Sequence, residues 1–338
     1  MSDLSTTWLG MTLKSPLVAS SSPLCDSTDG IAQLEDHGIA AVVLPSLFEE
    51  QLELESASVD DDLARGSESF AESLTFFPDL RTYNLGPDRY LDLIRRARER
   101  VDIPVIASLN GISMGGWIRY ARLMQDAGAS AIELNIYHIA TDPEQTGEAV
   151  EKGQLELAAA IRQSLSIPMA VKLSPFYSAP ANMGRRLDAA GADGVVLFNR
   201  FYQPDFNIED QAVVSALSLS RPEELLMRLH WTAILYGQVR ADLGITGGVH
   251  SAGDVVKCAM AGARVAFMAS ALLQNGVRHI ERTLAELDAW LDTHECVSIA
   301  QIRGSMSYGS VADTSAYERG NYMKTLSSYT RGSAMSDD

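Results

Sequence analysis

The chain of 338 residues is 46% hydrophobic and 21% charged, a composition typical of a soluble globular protein with a large buried core. Its formal net charge of −17 repels polyanions, which argues against nucleic acid or an anionic membrane as the main partner. No apolar run approaches the ~20 residues of a membrane span and the N-terminus lacks a targeting pattern, so the expected location is the cytoplasm.

Strands and helices are predicted to alternate from residue 16 onward. A glycine that follows a helical pattern and precedes an apolar strand recurs in residues 37–46, 127–136, 190–199 and 261–270. The four glycines, each expected to adopt the left-handed conformation that ends a helix, are Gly38, Gly128, Gly191 and Gly262. The strands that follow are too uniformly apolar to be half exposed, which is typical of a parallel sheet covered on both faces.

Further strands are predicted at residues 16–20, 104–109, 168–173 and 243–248, which brings the total to eight. Helical patterns lie between them. Eight β/α units predict an α/β fold, a (β/α)8 TIM barrel, rather than an open doubly wound sheet. The absence of G-x-G-x-x-G after the first strand also disfavours a dinucleotide-binding fold.

We expect one domain over residues 1–338, with two insertions and a C-terminal extension. Residues 47–90 and 200–221 do not fit the regular alternation. Both follow strand ends, so we expect them to cover the C-terminal mouth of the barrel and to shape the site. The extension, residues 296–338, is polar, and its end is expected to be disordered.

Polar residues at the predicted strand ends define the candidate site, because barrel enzymes carry their chemistry there. These residues are Ser20, Ser21, Ser22, Pro45, Ser46, Asn110, Asn135, His138, Lys172, Asn199, Gly247, Gly248, Ala269 and Ser270. They predict a neutral-to-cationic pocket for a planar, polar, anionic ligand. Neither an H-E-x-x-H motif nor a C-x-x-C occurs, so neither a metal site nor an iron-sulfur cluster held by this chain alone is expected.

Two of these positions indicate particular chemistry. Lys172 follows an apolar strand, so its stem should be enclosed, and a fixed cation there could stabilise negative charge on a cofactor or intermediate. The alternative is a lysine that reaches solvent. Gly247 and Gly248 end the seventh strand, and small residues end the eighth. Barrels commonly bind phosphate there through exposed backbone N–H groups, although paired glycines also occur in ordinary tight turns.

Over nearly the whole predicted barrel, the sequence resembles the FMN-dependent dihydroorotate dehydrogenases. The resemblance lies in SPLVASSS, IELN, VKLSP, VVLFN, TGGVHSAGD and ALLQNG, which occur in the family's order and spacing. It implies a (β/α)8 barrel that binds FMN, with the phosphate beside Gly247, Gly248, Ala269 and Ser270 and with Lys172 near the flavin N1 edge. A flavin that accepts hydride becomes anionic around N1, which a lysine would stabilise.

The resemblance also implies roles for the other strand-end residues. Ser20, Ser21 and Ser22 match the segment that backs the flavin, and Asn110 resembles a third strand-end contact to flavin or substrate. Ser46, at the end of the second strand, is also predicted to bind the cofactor. Asn135 and Asn199 match asparagines that hold the pyrimidine substrate. Asn84, in YNLGPDRY, matches a substrate-loop asparagine.

The sequence departs from the family at several positions. The family's catalytic cysteine or serine is replaced by His138, its following Pro-Asn pair by Ile139 and Ala140, and a second-strand lysine by Pro45. SALSLSRPEE stands where the family has a glycine-rich loop. An unperturbed imidazole titrates near ~6.5 and a thiol near ~8.5, so histidine is a chemically plausible base. We therefore predict His138 as the catalytic base, with Tyr137 as an alternative.

Three functions remain open on the sequence. The leading one is hydride transfer from dihydroorotate or a related dihydropyrimidine to FMN, in pyrimidine biosynthesis. The others are an isomerase or aldolase on a phosphorylated metabolite, with Lys172 forming a Schiff base, and a flavin-binding protein whose active site has decayed. The resemblance to the soluble family types implies a homodimer or an electron-transfer partner subunit. The acceptor stays open between fumarate, a nicotinamide-linked partner and others, and quinone coupling through an N-terminal extension is not expected.

Overall fold

A computed structural model describes residues 2–48, 86–111 and 116–328 of the protein. Most of the predicted insertion at 47–90, the predicted substrate residue Asn84 and the end of the C-terminal extension lie outside these residues. The closed eight-stranded barrel is confirmed, with every neighbouring pair of strands parallel. The fold is therefore a (β/α)8 TIM barrel.

The barrel strands follow the predicted positions closely. They are β3 (Leu17–Ala19), β4 (Val42–Phe48), β5 (Val105–Asn110), β6 (Ala131–Asn135), β7 (Met169–Leu173), β8 (Gly194–Leu197), β11 (Asp242–Thr246) and β12 (Val265–Met268). The second barrel strand runs to Phe48, beyond the predicted end at Ser46, and a register shift interrupts its pairing with β5 between Val43 and Ser46. All of β5, β6, β7, β8 and β12 is buried.

Helices cover the outside of the barrel. They are α1 (Thr28–Asp36), α2 (Pro87–Arg100), α3 (Trp117–Asp126), α4 (Gly147–Ser164), α5 (Pro180–Ala189), α6 (Leu225–Leu235), α7 (Ala252–Ala261), α8 (Ser270–Asn275), α9 (His279–Thr293), α10 (Ile299–Ile302) and α11 (Gly320–Ser327). The four predicted helix-ending glycines all have positive φ, from +96° at Gly191 to +117° at Gly262. This confirms the predicted positions at which these helices end and the following strands begin, from which the fold was predicted. No helix in the described part of the chain is long and apolar enough to span a membrane.

A hairpin of β1 (Thr6–Trp8) and β2 (Met11–Leu13) closes the N-terminal end of the barrel. Trp8 is fully buried and meets Phe267 edge-on, with 5.8 Å between ring centroids. A Cβ at Gly194 would lie 2.6 Å from Leu9 Cδ2, and one at Gly244 would lie 3.0 Å from Trp8 Cη2. Glycines on two barrel strands therefore make the space that the hairpin fills.

Two other segments lie outside the alternation of strands and helices. The predicted insertion at 200–221 contains a hairpin of β9 (Asp205–Asn207) and β10 (Ala212–Val214). The C-terminal extension packs along the barrel helices, where the Gly304 N–H donates to Ala259 O and the Tyr308 N–H donates to Ala233 O, both at 2.9 Å.

Candidate functional site

A cavity lies at the carboxyl ends of the barrel strands and brings together most of the predicted cofactor residues. Its predicted lining residues are Ser20, Ser21, Lys172, Asn199, Gly247, Gly248, Ala269 and Ser270. The lining is completed by Phe198, Arg200, Tyr202, Ser220, Thr246, Val249 and Phe267. None of these described lining residues is acidic, and two are cations. The cavity therefore suits an anion, although the chain as a whole is strongly acidic.

The register of the strands and the alternation of their side chains determine the position of Lys172. It is paired in register with Asn135 on one side and with Val196 on the other, and side chains two residues apart on a strand share a face. Glu133 and Asn135 are such a pair, so the carboxylate lies one layer below the asparagine inside the barrel.

Lys172 and Glu133 form a buried ion pair. The lysine Nζ is 3.5 Å from Glu133 Oε1, and the two residues are 8% and 2% exposed. A carboxylate buried this deeply needs a cation, and the cation is held at the strand end as predicted. Lys172 is enclosed, so the alternative of a lysine that reaches solvent is wrong.

The two predicted substrate asparagines are bonded to each other. Asn199 Nδ2 donates to Asn135 Oδ1 at 2.6 Å, and both residues are buried. Asn199 Oδ1 also accepts from the Arg200 N–H at 3.0 Å. Two amides, one at the end of β6 and one just after β8, therefore converge above β7 at one point of the mouth. This is the arrangement needed to bind a planar ligand that both donates and accepts hydrogen bonds.

The glycine end of the cavity is closed by hydroxyl groups. Gly247 and Gly248 have φ of +88° and +81°, and a Cβ at Gly248 would lie 2.5 Å from the Leu225 nitrogen. The Gly248 N–H donates to Ser220 Oγ at 3.3 Å, and Ser220 Oγ donates to Ser270 Oγ at 2.8 Å. Small residues are therefore required here, and the hydroxyl and amide donors are of the kind that bind phosphate oxygens.

The size of the cavity limits what it encloses. At about 120 Å³ it is well below the roughly 300–1,000 Å³ of typical ligand pockets. It is large enough for a phosphate group and nearby atoms, but a whole flavin mononucleotide would extend beyond it. The residues therefore fit the phosphate end and one polar edge of such a ligand.

Arg228 lies directly behind Gly247 and is not among the residues that line the cavity. Its guanidinium donates through Nε to Thr246 O and through Nη1 to Glu224 O at 2.6 Å. Burial lowers the pKa of Arg228, the nearby Glu224 carboxylate opposes that shift, and Arg200 adds to it. Glu224 also pairs with Arg200 at 3.2 Å.

Three predicted cofactor residues lie near the cavity without forming its lining. Ser46 shares a hydrogen bond with Ser108, with 2.8 Å between the two Oγ atoms, inside the barrel wall. Asn110 is buried at the end of β5, and Ser22 is buried where the short helix Pro23–Cys25 begins. A role for these three in ligand binding stays a prediction.

His138 lies in a separate groove beside the cavity. The groove, about 530 Å³, is lined by the histidine together with Gln145, Gln154, Tyr177, Phe201 and others. The closest described partner of the imidazole is Gln145, whose Oε1 is 3.3 Å from Nε2. The structure does not bring His138 into the cavity with Lys172, and Tyr202 lines both spaces.

Aromatic side chains form a cluster beside the groove. Tyr137 stacks on Phe201 with 4.3 Å between centroids, and Phe201 meets Phe176 edge-on at 5.1 Å. Tyr137, the alternative acid or base, accepts a hydrogen bond from the Tyr202 N–H at 3.4 Å. Tyr177 donates to Gln154 Oε1 at 2.8 Å, and burial raises its pKa far above the usual range. Tyr177 is therefore a poor general base.

Sequence reasoning missed Glu133, Ser220 and Arg228. Glu133 had a usable signal, because a carboxylate within an otherwise apolar predicted strand requires a buried cation. Ser220 and Arg228 had none, because a serine in a loop and an arginine on a helix are ordinary surface residues until the fold places them against Gly247 and Gly248.

A closed α/β barrel with a cationic, hydroxyl-lined cavity at the carboxyl ends of its strands is the architecture of a barrel enzyme that binds an anionic ligand. A profile described as dihydroorotate dehydrogenase matches residues 80–291, which is more than half of the chain. The protein therefore belongs to the dihydroorotate dehydrogenase family, a family of oxidoreductases.

Three relatives show how distant the similarity is. The chain is 28% identical over 204 residues to a putative dihydroorotate dehydrogenase A (fumarate) of Aeropyrum pernix, covering 57% of this chain and 64% of the relative. It is 26% identical over 316 residues to the catalytic subunit of dihydroorotate dehydrogenase B (NAD(+)) of Thermoplasma acidophilum, covering 90% and 99%. It is 24% identical over 325 residues to subunit PreA of an Escherichia coli NAD-dependent dihydropyrimidine dehydrogenase, covering 89% and 76%.

Proposed function

We propose that the protein is an FMN-dependent oxidoreductase that takes hydride from dihydroorotate or a related dihydropyrimidine, in pyrimidine metabolism. One observation carries the proposal: a single cavity joins Lys172 to a donor-rich end built from Gly247, Gly248 and Ser270. Those two features suit the redox edge and the phosphate of a flavin mononucleotide. Membership of the family supports the same ligand.

The donor set fits FMN. Ser20, Ser220, Thr246 and Ser270 supply hydroxyls, Gly247 and Gly248 supply backbone at positive φ, and no described lining residue is acidic. When bound, FMN would supply the hydride acceptor. Lys172 would hold a positive charge beside the flavin edge, and Glu133 would keep the ammonium in place from below.

The two asparagines would orient the substrate. Asn135 and Asn199 present amide groups from the two strands that flank β7, and a cyclic amide offers the complementary donor and acceptor. A substrate bound in this way would break the hydrogen bond that the two side chains now share and would replace it with its own hydrogen bonds to each of them.

His138 is proposed as the base that removes a proton from the substrate. Residues 136–146 contain neither helix nor strand, and Gln145 is the closest described partner of the imidazole. To act on a ligand held by Asn135, the histidine must turn toward the cavity past Tyr202. The proposal therefore includes a rearrangement of this loop when substrate binds.

The proposal extends to the protein's setting. We propose a cytoplasmic enzyme that works as a homodimer or with an electron-transfer partner subunit. The relatives named for fumarate and for NAD(+) give two candidate acceptors, and the dihydropyrimidine dehydrogenase subunit supports a dihydropyrimidine other than dihydroorotate as a second candidate substrate.

The test is the visible absorption spectrum of the purified protein loaded with FMN, recorded anaerobically before and after dihydroorotate is added. Bleaching of the flavin bands is the expected result. Bands that bleach with dihydrouracil alone would move the substrate to the related dihydropyrimidine. Bands that persist with both would mean that the substrate or the activity has changed, and a protein that takes up no FMN would refute the proposal.

His138→Ala tests the base. The rate of flavin reduction should fall by roughly 10²–10⁴-fold, the usual contribution of a general base, while FMN binding is unchanged. His37→Ala, at a histidine on the surface beyond α1, is the matched control and should leave the rate unchanged. An unchanged rate in His138→Ala would remove the residue from the mechanism.

The phosphate-binding end of the cavity would also serve an isomerase or aldolase acting on a phosphorylated metabolite. A Schiff base requires an amine that is free to attack the substrate, whereas Lys172 Nζ is held in a buried ion pair with Glu133. Borohydride treatment in the presence of an aldehyde or ketone substrate should therefore give no covalent adduct at Lys172. A trapped adduct would favour the aldolase.

A further inference from the structure

Arg228 is a buried cation pressed against the backbone of the cavity. Its side chain is 3% exposed. A Cβ placed on Gly247 would lie 2.8 Å from Arg228 Nη2 and 2.9 Å from its Cζ, so only glycine lets the guanidinium approach. The charge therefore lies one backbone thickness away from the space that Gly247, Gly248 and Ser270 enclose.

The charge of Arg228 is only partly balanced. Thr246 O and Glu224 O accept its hydrogen bonds but are neutral. The Glu224 carboxylate is 4.0 Å from Arg228 Nη2 and is also held by Arg200 at 3.2 Å. One carboxylate thus serves two guanidinium groups, and the cluster carries one net positive charge at the cavity wall.

A buried net charge is unfavourable unless something of opposite sign lies close by. We propose that Arg228 makes the cavity selective for a ligand that ends in a doubly charged phosphate, acting through the backbone of Gly247 and Gly248 without touching the ligand. This inference rests on the proposed function, because it takes FMN as the phosphate carrier. It assigns to Arg228 the discrimination between FMN and its dephosphorylated form, riboflavin.

The size of the effect follows from Coulomb's law. Opposite charges several ångströms apart, at the effective dielectric constant of about 20 found near protein surfaces, interact strongly enough to change an affinity at least tenfold. Riboflavin has the same ring system and no phosphate, so the interaction is absent from its binding.

The experiment measures the dissociation constants of FMN and riboflavin for the full-length apoprotein and for Arg228→Gln. The variant should bind FMN about tenfold or more weakly and riboflavin within about twofold of the unsubstituted protein. Arg228→Lys keeps the charge and should retain most of the preference for FMN. Arg240→Gln makes the same change in net charge at an exposed site paired with Asp188, and should leave both constants unchanged.

Glu224→Gln gives a test of opposite sign that does not depend on removing the buried arginine. It removes the negative charge that Arg200 and Arg228 share, so FMN should bind about threefold more tightly relative to riboflavin. If Arg228→Gln does not fold, this variant still tests whether the charge of the cluster sets the preference for FMN over riboflavin.

Parallel losses for both flavins in Arg228→Gln would show a structural role and overturn the inference, as would an unchanged ratio in Glu224→Gln. Equal binding of FMN and riboflavin by the unsubstituted protein would overturn the inference alone. Failure of that protein to bind either flavin would overturn the proposed function as well.

Discussion

The two ends of the barrel interior differ in polarity: the N-terminal end is apolar and the C-terminal end is polar. At the N-terminal end, Trp8, Leu9 and Leu13 of the hairpin fill the interior, and Val265 and Phe267 pack against them. At the C-terminal end, the same interior carries Glu133, Lys172 and two asparagines in hydrogen bonds and an ion pair. Apolar burial at the closed end stabilises the fold. Burial of polar and charged groups at the open end costs part of that stability and places those groups where a ligand can bind.

Phe267 belongs to both ends. Its ring meets Trp8 edge-on, and the residue also lines the cavity with Ala269 and Ser270. Changes at the closed end should therefore alter stability and leave ligand binding intact, provided that they do not displace Phe267. Changes at the open end should alter both.

The largest expected effect is at the closed end. Trp8→Ala should lower the free energy of unfolding by about 3–5 kcal/mol, because it removes a fully buried indole and leaves a cavity. Urea denaturation measures the loss. Trp290→Ala, at a partly exposed tryptophan stacked on His294, is the control and should cost much less. Equal losses would contradict a special role for the hairpin.

A second change at the closed end overpacks it. Gly244→Ala places a Cβ 2.7 Å from Phe267 Cε2 and 3.0 Å from Trp8 Cη2, which should cost about 1–3 kcal/mol. Because Phe267 is the nearest neighbour, this variant should also weaken FMN binding. Gly153→Ala, where a Cβ meets nothing within 4 Å, is the matched control in the same assays. Loss of stability with unchanged FMN affinity would show that the two ends are independent.

The open end is tested by Glu133→Gln, which keeps the size of the side chain and removes its charge. We expect a loss of about 1 kcal/mol, since the amide oxygen can still accept from Lys172 while the charged pair is lost. The absorption spectrum of bound FMN should shift, because Lys172 is no longer held. Adding Lys172→Met should recover stability, and a further loss in the double variant would contradict the pairing.

The smallest effect lies away from both ends. Burial lowers the pKa of His230 on α6, so between pH 6.5 and this lower pKa the unfolded chain binds a proton that the folded chain does not. Stability should therefore fall as the pH drops through this window. His230→Gln should reduce the fall between pH 7.5 and pH 5.5 in thermal melts. Identical pH profiles for the two proteins would contradict the assignment of this fall in stability to His230.

The sequence predicted the barrel because its signals are local. Gly38, Gly128, Gly191 and Gly262 end helices by their own backbone conformation, and the buried strands are mostly apolar. The N-terminal hairpin was not predicted, because strands of three residues are too short to show a period.

The site was predicted in part for a related reason. Lys172, Asn135 and Asn199 end strands, so their convergence follows from the fold class. The partner of Lys172 follows only from the register between β6 and β7. The contacts of Ser220 and Arg228 depend on where a loop and a helix pack against Gly247 and Gly248, and the course of the chain after Asn135 carries His138 into the neighbouring groove.

The bond between Asn199 and Asn135 sets an entry requirement for any ligand of the mouth. Each amide already satisfies the other at 2.6 Å, so a ligand that separates them must replace both a donor and an acceptor. One that replaces neither leaves buried polar groups unpaired, at a cost of about 1–3 kcal/mol for each group, or roughly 5- to 150-fold in affinity. A ring that carries C=O and N–H side by side meets the requirement, whereas a ring of the same shape without them is rejected. The selectivity for such a ring thus follows from the hydrogen bond that Asn199 and Asn135 form with each other before a ligand binds.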